Sequence, residues 1–388
     1  MKQFLADKIT QIKPSGIRKF FDIVATMKDV ISLGIGEPDF ATPEPIIQAG
    51  IKSLLAGETH YTSNQGLLQL REALADQISK LYNVQYDPAT EILMSVGVSE
   101  ALYLVFNAIL NPGDEVIIPT PCFVSYQVEV DLAGGVPVEV PTFMKDNFEP
   151  DPDLIERAIT PRTKAIFIGY PSNPTGAVAS RETLLRIAAI AEKHDLLVVS
   201  DEIYDRLVYG VEHVCFASLP GMRDRTILLS GFSKTYAMTG WRIGYVAAPP
   251  SIMKGLVRIH QYTIMCTPTV SQYAALEALR VGEPYVQEML AEYDRRRQLI
   301  VKGFNRIGLE TFEPRGAFYA FPKVSNCGLS EEEFCERLLK EARVAMVPGS
   351  AFGAAGAGFA RASYATSYEK IEEALQRIEG FLKKNTCQ

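Results

Sequence analysis

The segment TILLSGFSKTYAMTGWRIGY, residues 226–245, is the anchor from which the chain is read. Its opening TILLSG is an apolar run too short for a helix. Strands of a parallel sheet are covered on both faces, so they read as unbroken apolar runs rather than alternations. Lys234 stands just past that strand, where open α/β sheets place their ligands. An amine held there, shielded from water and close to other cations, ionises less readily and can act as a nucleophile. Arg242 follows a Thr-Gly turn and offers a forked donor suited to a phosphate. Alone, these residues read more simply as a surface lysine and a structural arginine.

The same texture recurs upstream. EILMSVG (91–97), DEVIIP (114–119), TKAIFIGY (163–170) and LLVVSD (196–201) read as strands. SEALYLVFNAIL (99–110) and RETLLRIAAIAEKH (181–194) read as helices between them, and Leu67, Leu70, Ala73, Leu74, Ile78 and Leu81 form one helical face. Near residue 283 the pattern changes. Residues 285–308 read as one long helix with Arg295–Arg297 on its solvated face, and 367–384 as a helix capped by Thr366 and Glu369. The expected fold class is α/β. A large domain, residues 46–285, has a mostly parallel sheet sandwiched by helices; a smaller α+β domain is built from both chain ends, residues 1–45 and 286–388.

Three other strand ends remove the isolation of Lys234. Asp201 and Tyr204 follow the strand in VVSDEIY (198–204), and Asn173 lies in the Pro-rich turn of GYPSNPTG (169–176). GVSEAL (97–102) opens a helix, whose free N–H groups and dipole favour an anion. A phosphate cradle, an amine, a carboxylate, a phenol and an amide thus converge on one sheet edge. That is the equipment for a phosphorylated pyridine aldehyde held as a Schiff base.

Other chemistries are poorly served. Gly34-Ile35-Gly36 is followed by Pro38, Pro43 and Pro45 where a dinucleotide-binding helix would start, and Gly353, Gly356 and Gly358 have the wrong order. Six cysteines show no Cys-x-x-Cys pair, and His213 with Cys215 has no partner at zinc spacing, so neither a metal site nor a disulfide framework is expected. A net charge of −7 argues against nonspecific nucleic-acid binding. The start, MKQFLADKIT, lacks a signal-peptide apolar run, and no stretch has the length of a membrane span. A cytoplasmic protein without membrane or nucleic-acid partners is expected.

The chain resembles the class I/II pyridoxal-phosphate aminotransferases of the aspartate aminotransferase superfamily, fold type I. Besides the segments above, the likeness runs through LGIGEPDF (33–40), YTSNQG (61–66), RGAFYAFP (315–322), VPGSAFG (347–353) and FARASYA (359–365). It implies that pyridoxal 5'-phosphate is carried as a Schiff base on Lys234, the catalytic residue. It further implies that Asp201 pairs with the pyridinium nitrogen, Tyr204 and Asn173 hydrogen-bond the ring oxygen, and Phe123 lies against the ring. Val98 and Ser99 would hold the phosphate with Arg242, and Tyr61 would reach the phosphate of a neighbouring subunit, making a homodimer. One position departs: many members carry Ser three residues before the lysine, where this chain has Gly231. The phosphate hydroxyl contact is then either missing or supplied by Ser233.

By the same resemblance Arg361 clamps the substrate α-carboxylate, Asn173 assists, Gly36 lets the backbone approach, and Ile17, in PSGIRKFF (14–21), forms an apolar lid. The implied reaction moves an amino group from an L-amino acid to a 2-oxo acid, with 2-oxoglutarate expected as acceptor. An aromatic or broad donor is expected, with aspartate or acyl-diaminopimelate as alternatives and Arg18 available for an acidic substrate. C–S lyase chemistry on the same fold stays open. A cofactor-sensing regulator is disfavoured, because residues 1–45 are too short and too broken by Pro and Gly for a helix-turn-helix domain.

Overall fold

In the computed structural model, which describes residues 4–12 and 27–385, the apolar runs assemble as strands. The segment 14–21, with Ile17 and Arg18, lies outside the described residues. Along the chain, β1 (Ile31–Ser32) stands apart from a seven-stranded sheet. That sheet comprises β2 (Ile92–Ser95), β3 (Glu115–Thr120), β4 (Val136–Pro141), β5 (Thr163–Ile168), β6 (Leu197–Asp201), β7 (Thr226–Gly231) and β8 (Gly244–Ala247), in the order β2-β8-β7-β6-β5-β3-β4. All neighbours are parallel except β8, which is antiparallel to both β2 and β7.

The continuous hydrophobicity of these strands serves two cores at once. Ile117, Ile166, Ile168 and Val198 pack with Leu184, Ile187 and Ile190 of the helix Arg181–Lys193. Their sequence neighbours Val116, Ile118, Phe167 and Val199 point the other way, onto the helices Gly97–Ile109 and Pro250–Thr263. Successive strand residues face opposite sides of a sheet, so both must be apolar when both sides are covered. The edge strand β4, VPVEVP, is mostly solvent-exposed, and its prolines are tolerated there because an edge has N–H positions that need no partner.

A further core gathers most of the chain's other parts. β9 (Tyr319–Ala320), β10 (Val344–Ala345), β11 (Val347–Pro348) and β12 (Ala360–Ser363) follow; β11-β12-β9 form an antiparallel sheet, and β10 pairs in parallel with β1. Ile31 and Leu33 share this core with Tyr293, Ile300 and Phe304 of the helix Glu283–Arg306 and with Ile371, Leu375 and Ile378 of the helix Tyr368–Lys384. No helix among the described residues is long and apolar enough to cross a membrane.

Two local expectations are corrected. Arg296 and Arg297 are buried, not solvated, because they fall on the same helical stripe as Met289, Tyr293 and Ile300. Their guanidinium groups reach carboxylates at the core's edge: Arg296 bonds both oxygens of Asp39, at 2.8 and 2.9 Å, and also Glu292, while Arg297 meets Asp294 and Glu313. Arg295 is exposed. The last helix is capped one residue later than its sequence pattern implies: Ser367 Oγ accepts from the Lys370 N–H.

The turn between β11 and β12 is especially intolerant. A Cβ on Gly349 would lie 2.0 Å from the Gly356 carbonyl oxygen and 2.7 Å from that of Phe359, both backbone atoms that cannot swing away. Gly349→Ala is expected to destabilise the fold by roughly 2–3 kcal/mol, read as a fall of several degrees in the calorimetric midpoint. An unchanged midpoint would show that this turn is not as rigid as its packing indicates.

Candidate active site

Since β2 and β7 both oppose β8, β2 runs with the parallel strands. The segments leaving β2, β3, β5, β6 and β7 therefore emerge along one sheet edge. They bring Val98 and Ser99, Phe123, Asn173, Asp201 with Tyr204, and Ser233 with Lys234 around a cavity of about 320 Å³. Arg242 lines it from the turn before β8, Gly36 from the segment after β1, and Arg361 from β12.

Lys234 Nζ donates to the Gly36 carbonyl at 2.7 Å and stands 5.9 and 5.7 Å from the ring centroids of Tyr204 and Phe318. Burial lowers its pKa to about 8; Glu37 and Asp201 oppose that shift, while Arg361 and Arg242 reinforce it. Asp201 is 4% exposed and accepts from the Tyr126 hydroxyl at 2.9 Å and the Ile203 N–H at 3.1 Å. Burial pushes its pKa up to about 6 against those two hydrogen bonds, with the Glu202 charge adding to the rise.

Arg361 is a buried cation with neutral company. It donates to Asn173 Oδ1 at 2.8 Å and to the Gly34 carbonyl at 2.5 Å, and its Nε has no partner. The guanidinium lies 4.7 and 4.9 Å from the ring centroids of Tyr319 and Phe352. Burial lowers its pKa below the usual arginine range. A desolvated guanidinium with an unused donor is matched to an incoming carboxylate, which supplies both the charge and the fork of acceptors.

Three glycines bring the helix N-terminus down onto the sheet. A Cβ on Gly97 (φ +69°) would lie 2.7 Å from Arg242 Nη2, and one on Gly244 only 2.9 Å from the Val98 nitrogen. Gly231 faces Gly244 across the β7–β8 pair, where a Cβ would come 2.9 Å from the Gly244 Cα. The glycine at 231 thus coincides with an unusually close approach of the two strands. Arg242, itself at φ +51°, is fixed by donating to the Thr239 carbonyl at 2.9 Å.

Tyr61 is 80% exposed and does not line the cavity. Several lining residues were not picked out from the sequence: Glu37, Leu102, Tyr126, Ile203, Thr239 and Tyr319. Tyr319 shares a 2.8 Å hydrogen bond with the Tyr204 hydroxyl. The available signal for Tyr126 was the need of a buried Asp201 for a donor; for Tyr319 it was its place in RGAFYAFP. The set fits pyridoxal 5'-phosphate. The amine, its pKa lowered to about 8, is partly neutral at neutral pH, a buried carboxylate shares the cavity, and a Cβ on Gly97 would fill the space beside Arg242.

Comparison with known proteins agrees with this geometry. The family model for aminotransferase class I and II matches residues 28–378. The chain is 50% identical to an aspartate aminotransferase of Pyrococcus abyssi, with 98% of each chain covered. It is 48% identical to aromatic-amino-acid aminotransferase 2 of Thermococcus litoralis, again over 98% of each. The crystal structure of an aromatic aminotransferase from Pyrococcus horikoshii superposes with a TM-score of 0.92 at 49% identity, covering 96% of this chain and 100% of that one. On this fold of type I, the chain belongs to the class I and II aminotransferases, which use pyridoxal 5'-phosphate to transfer amino groups between amino and 2-oxo acids.

Proposed function

We propose that the cavity transaminates an aromatic or broad range of L-amino acids, with 2-oxoglutarate as acceptor, and that Lys234 and Arg361 do the principal work. When bound, pyridoxal phosphate supplies an electron sink that allows a substrate Cα–H bond to ionise. Lys234 Nζ holds the group and serves as the base that takes the α proton; a pKa of about 8 leaves part of the amine population neutral at neutral pH. Asp201 holds a proton on the ring nitrogen, Tyr204 and Asn173 bind the ring oxygen, and Phe123 packs on the ring. Val98, Ser99, Ser233 and Arg242 take the phosphate. Arg361 fixes the α-carboxylate so that the Cα–H bond, rather than the carboxylate bond, stays aligned for ionisation.

The observation that carries this reading is Arg361: a 3% exposed cation whose hydrogen-bond partners are a side-chain amide and a backbone carbonyl, leaving Nε free. The donor preference follows from the cations. Among the described residues, those lining the cavity are Lys234, Arg242 and Arg361, each already assigned. None remains for a distal carboxylate, Glu37 adds a negative charge, and Leu102, Phe123, Ile203 and Tyr319 give apolar wall. The distal carboxylate of 2-oxoglutarate then depends on a group outside these residues, and the same group would serve an acidic donor, which is why aspartate stands as the alternative. The relatives named for aspartate and for aromatic donors are similarly identical to this chain, so similarity does not choose between them.

The exposed apolar side chains Leu54, Leu55, Tyr61, Tyr262 and Met265 support a homodimer in which Tyr61 serves the partner's site. Domains divided at residues 46 and 285 are proposed with it: residues 286–388 supply most of the core that Ile31 and Leu33 join, although Tyr204, Leu207 and Tyr209 enter that core and Phe321, Val347 and Phe352 enter the core of the large sheet. A cytoplasmic location is proposed with them.

A panel of amino donors with 2-oxoglutarate, followed by glutamate formation, tests the donor assignment. Phenylalanine or tyrosine should exceed aspartate in kcat/KM; an aspartate preference of tenfold or more would overturn it. Thiol or ammonia release without matching glutamate would point to lyase chemistry. Lys234→Ala should reduce turnover by on the order of 10³-fold or more. Arg361→Ala should lower kcat/KM for amino acids by on the order of 10²-fold, with Arg361→Lys intermediate because it lacks the fork. Wild-type rates in either alanine variant would refute its assigned role.

Asp201 carries a pH signature in the cofactor-free protein. Its folded pKa of about 6 lies above the ordinary carboxylate value, so the fold tolerates the protonated form. That stability is fully present below about pH 4, is lost as pH rises toward 6, and stays lost above it, by up to about 3 kcal/mol. Asp201→Asn should therefore unfold at a higher temperature than wild type at pH 7–8, with the difference closing below pH 4, while its transaminase activity falls. Equal midpoints at pH 7–8 would contradict the burial argument.

A further inference from the structure

Behind the helix Gly97–Ile109 stands a pair of ionisable residues that the proposed reaction does not use. Glu100, in the first turn, accepts the Val96 N–H with Oε2 at 2.5 Å, while its Oε1 faces His260 Nδ1 at 2.8 Å. Nδ1 is placed to donate to this carboxylate oxygen, an acceptor. His260, on the neighbouring helix Pro250–Thr263, is fully buried, and its Nε2 has no partner. Among the described residues, the imidazole's one hydrogen-bond partner is therefore this carboxylate.

The position of that contact gives it a consequence. Val96 precedes the turn, and the next amides, Gly97, Val98 and Ser99, are the donors that a helix leaves open to an anion. With the Val96 N–H occupied, the turn is held at its base and those three remain available. Ser95 Oγ, donating to the Gly97 carbonyl at 3.0 Å, ties the same turn from the strand side. A carboxylate so close to an anion site would otherwise be free to swing toward Arg242 or the amides and compete with the anion.

We propose that Glu100 and His260 are positioning residues for the phosphate of the cofactor. Glu100 braces the turn through Val96, and His260 holds Glu100 in that rotamer, away from the cradle. The inference rests on the proposed reading of Val98, Ser99 and Arg242 as the phosphate site, and the test separates the two. The probes are pyridoxal 5'-phosphate and pyridoxal, which share the aldehyde and the ring but differ in the phosphate.

Both are titrated by absorbance into the cofactor-free full-length protein and its variants. Wild type should bind the phosphorylated probe far more tightly; equal affinities would sink the phosphate-site reading itself. Glu100→Ala and His260→Phe should each weaken pyridoxal 5'-phosphate by about tenfold and leave pyridoxal within twofold. Glu100→Gln, whose amide oxygen can still accept the Val96 N–H, should recover most of the loss. General damage to the fold would weaken both probes together, and that result, or no change in either, would overturn the brace. Should Glu100→Ala fail to fold, His260→Phe, which keeps the carboxylate, carries the same comparison.

Discussion

The structure depends on one short segment that satisfies a buried cation and a partly buried one from different sheets. The Gly34 carbonyl accepts from Arg361 on β12, and the Gly36 carbonyl accepts from Lys234 beyond β7. The segment is held at both ends. Ile31 and Leu33 donate to the carbonyls of Arg343 and Ala345, and Leu33 accepts from the Ser363 N–H, while Asp39 meets Arg296 and Thr42 donates to the Ala237 carbonyl. Neutral carbonyls lower the cost of burying a cation without cancelling its charge. Each cation is left available for an anionic or electrophilic partner, at a fixed distance from the other.

That arrangement gives the electrostatics their pattern. Burial is the largest cause of the shifts at Lys234, Asp201 and Arg361, and in each case it disfavours the charged form. Charged neighbours inside the cavity modify the outcome without setting it. Sites that need a neutral amine and an ionisable acid at one pH obtain both by restricting water. The glycines at 97, 231 and 244 complete the site by removing side chains, so that a helix N-terminus, two strands and an arginine occupy the space of a normal packing contact.

Much of this was legible in the residues. Unbroken apolar runs identified β2, β3, β5, β6 and β7, because a sheet covered on both faces leaves that trace, and the chemistry-bearing residues at their ends line one cavity. The edge strand β4 was not legible: two prolines and a glutamate obscure a strand that is half solvated. Arg296 and Arg297 were misread because charge was used as a proxy for exposure, while their helical phase placed them with Tyr293 and Ile300. Tyr126 and Tyr319 escaped because they pair with Asp201 and Tyr204, far along the chain; the only traces were the need of a buried Asp201 for a donor and the motif RGAFYAFP. The Glu100–His260 pair is of the same kind.

Lys234, and no other lysine, is proposed to bear the cofactor. Reduction of the loaded enzyme with borohydride, followed by proteolysis and mass mapping, reads this out. The phosphopyridoxyl group should appear on the peptide containing Lys234 at close to one per chain. Labelling on a different lysine, or none after reduction of an enzyme that turns over, would contradict it.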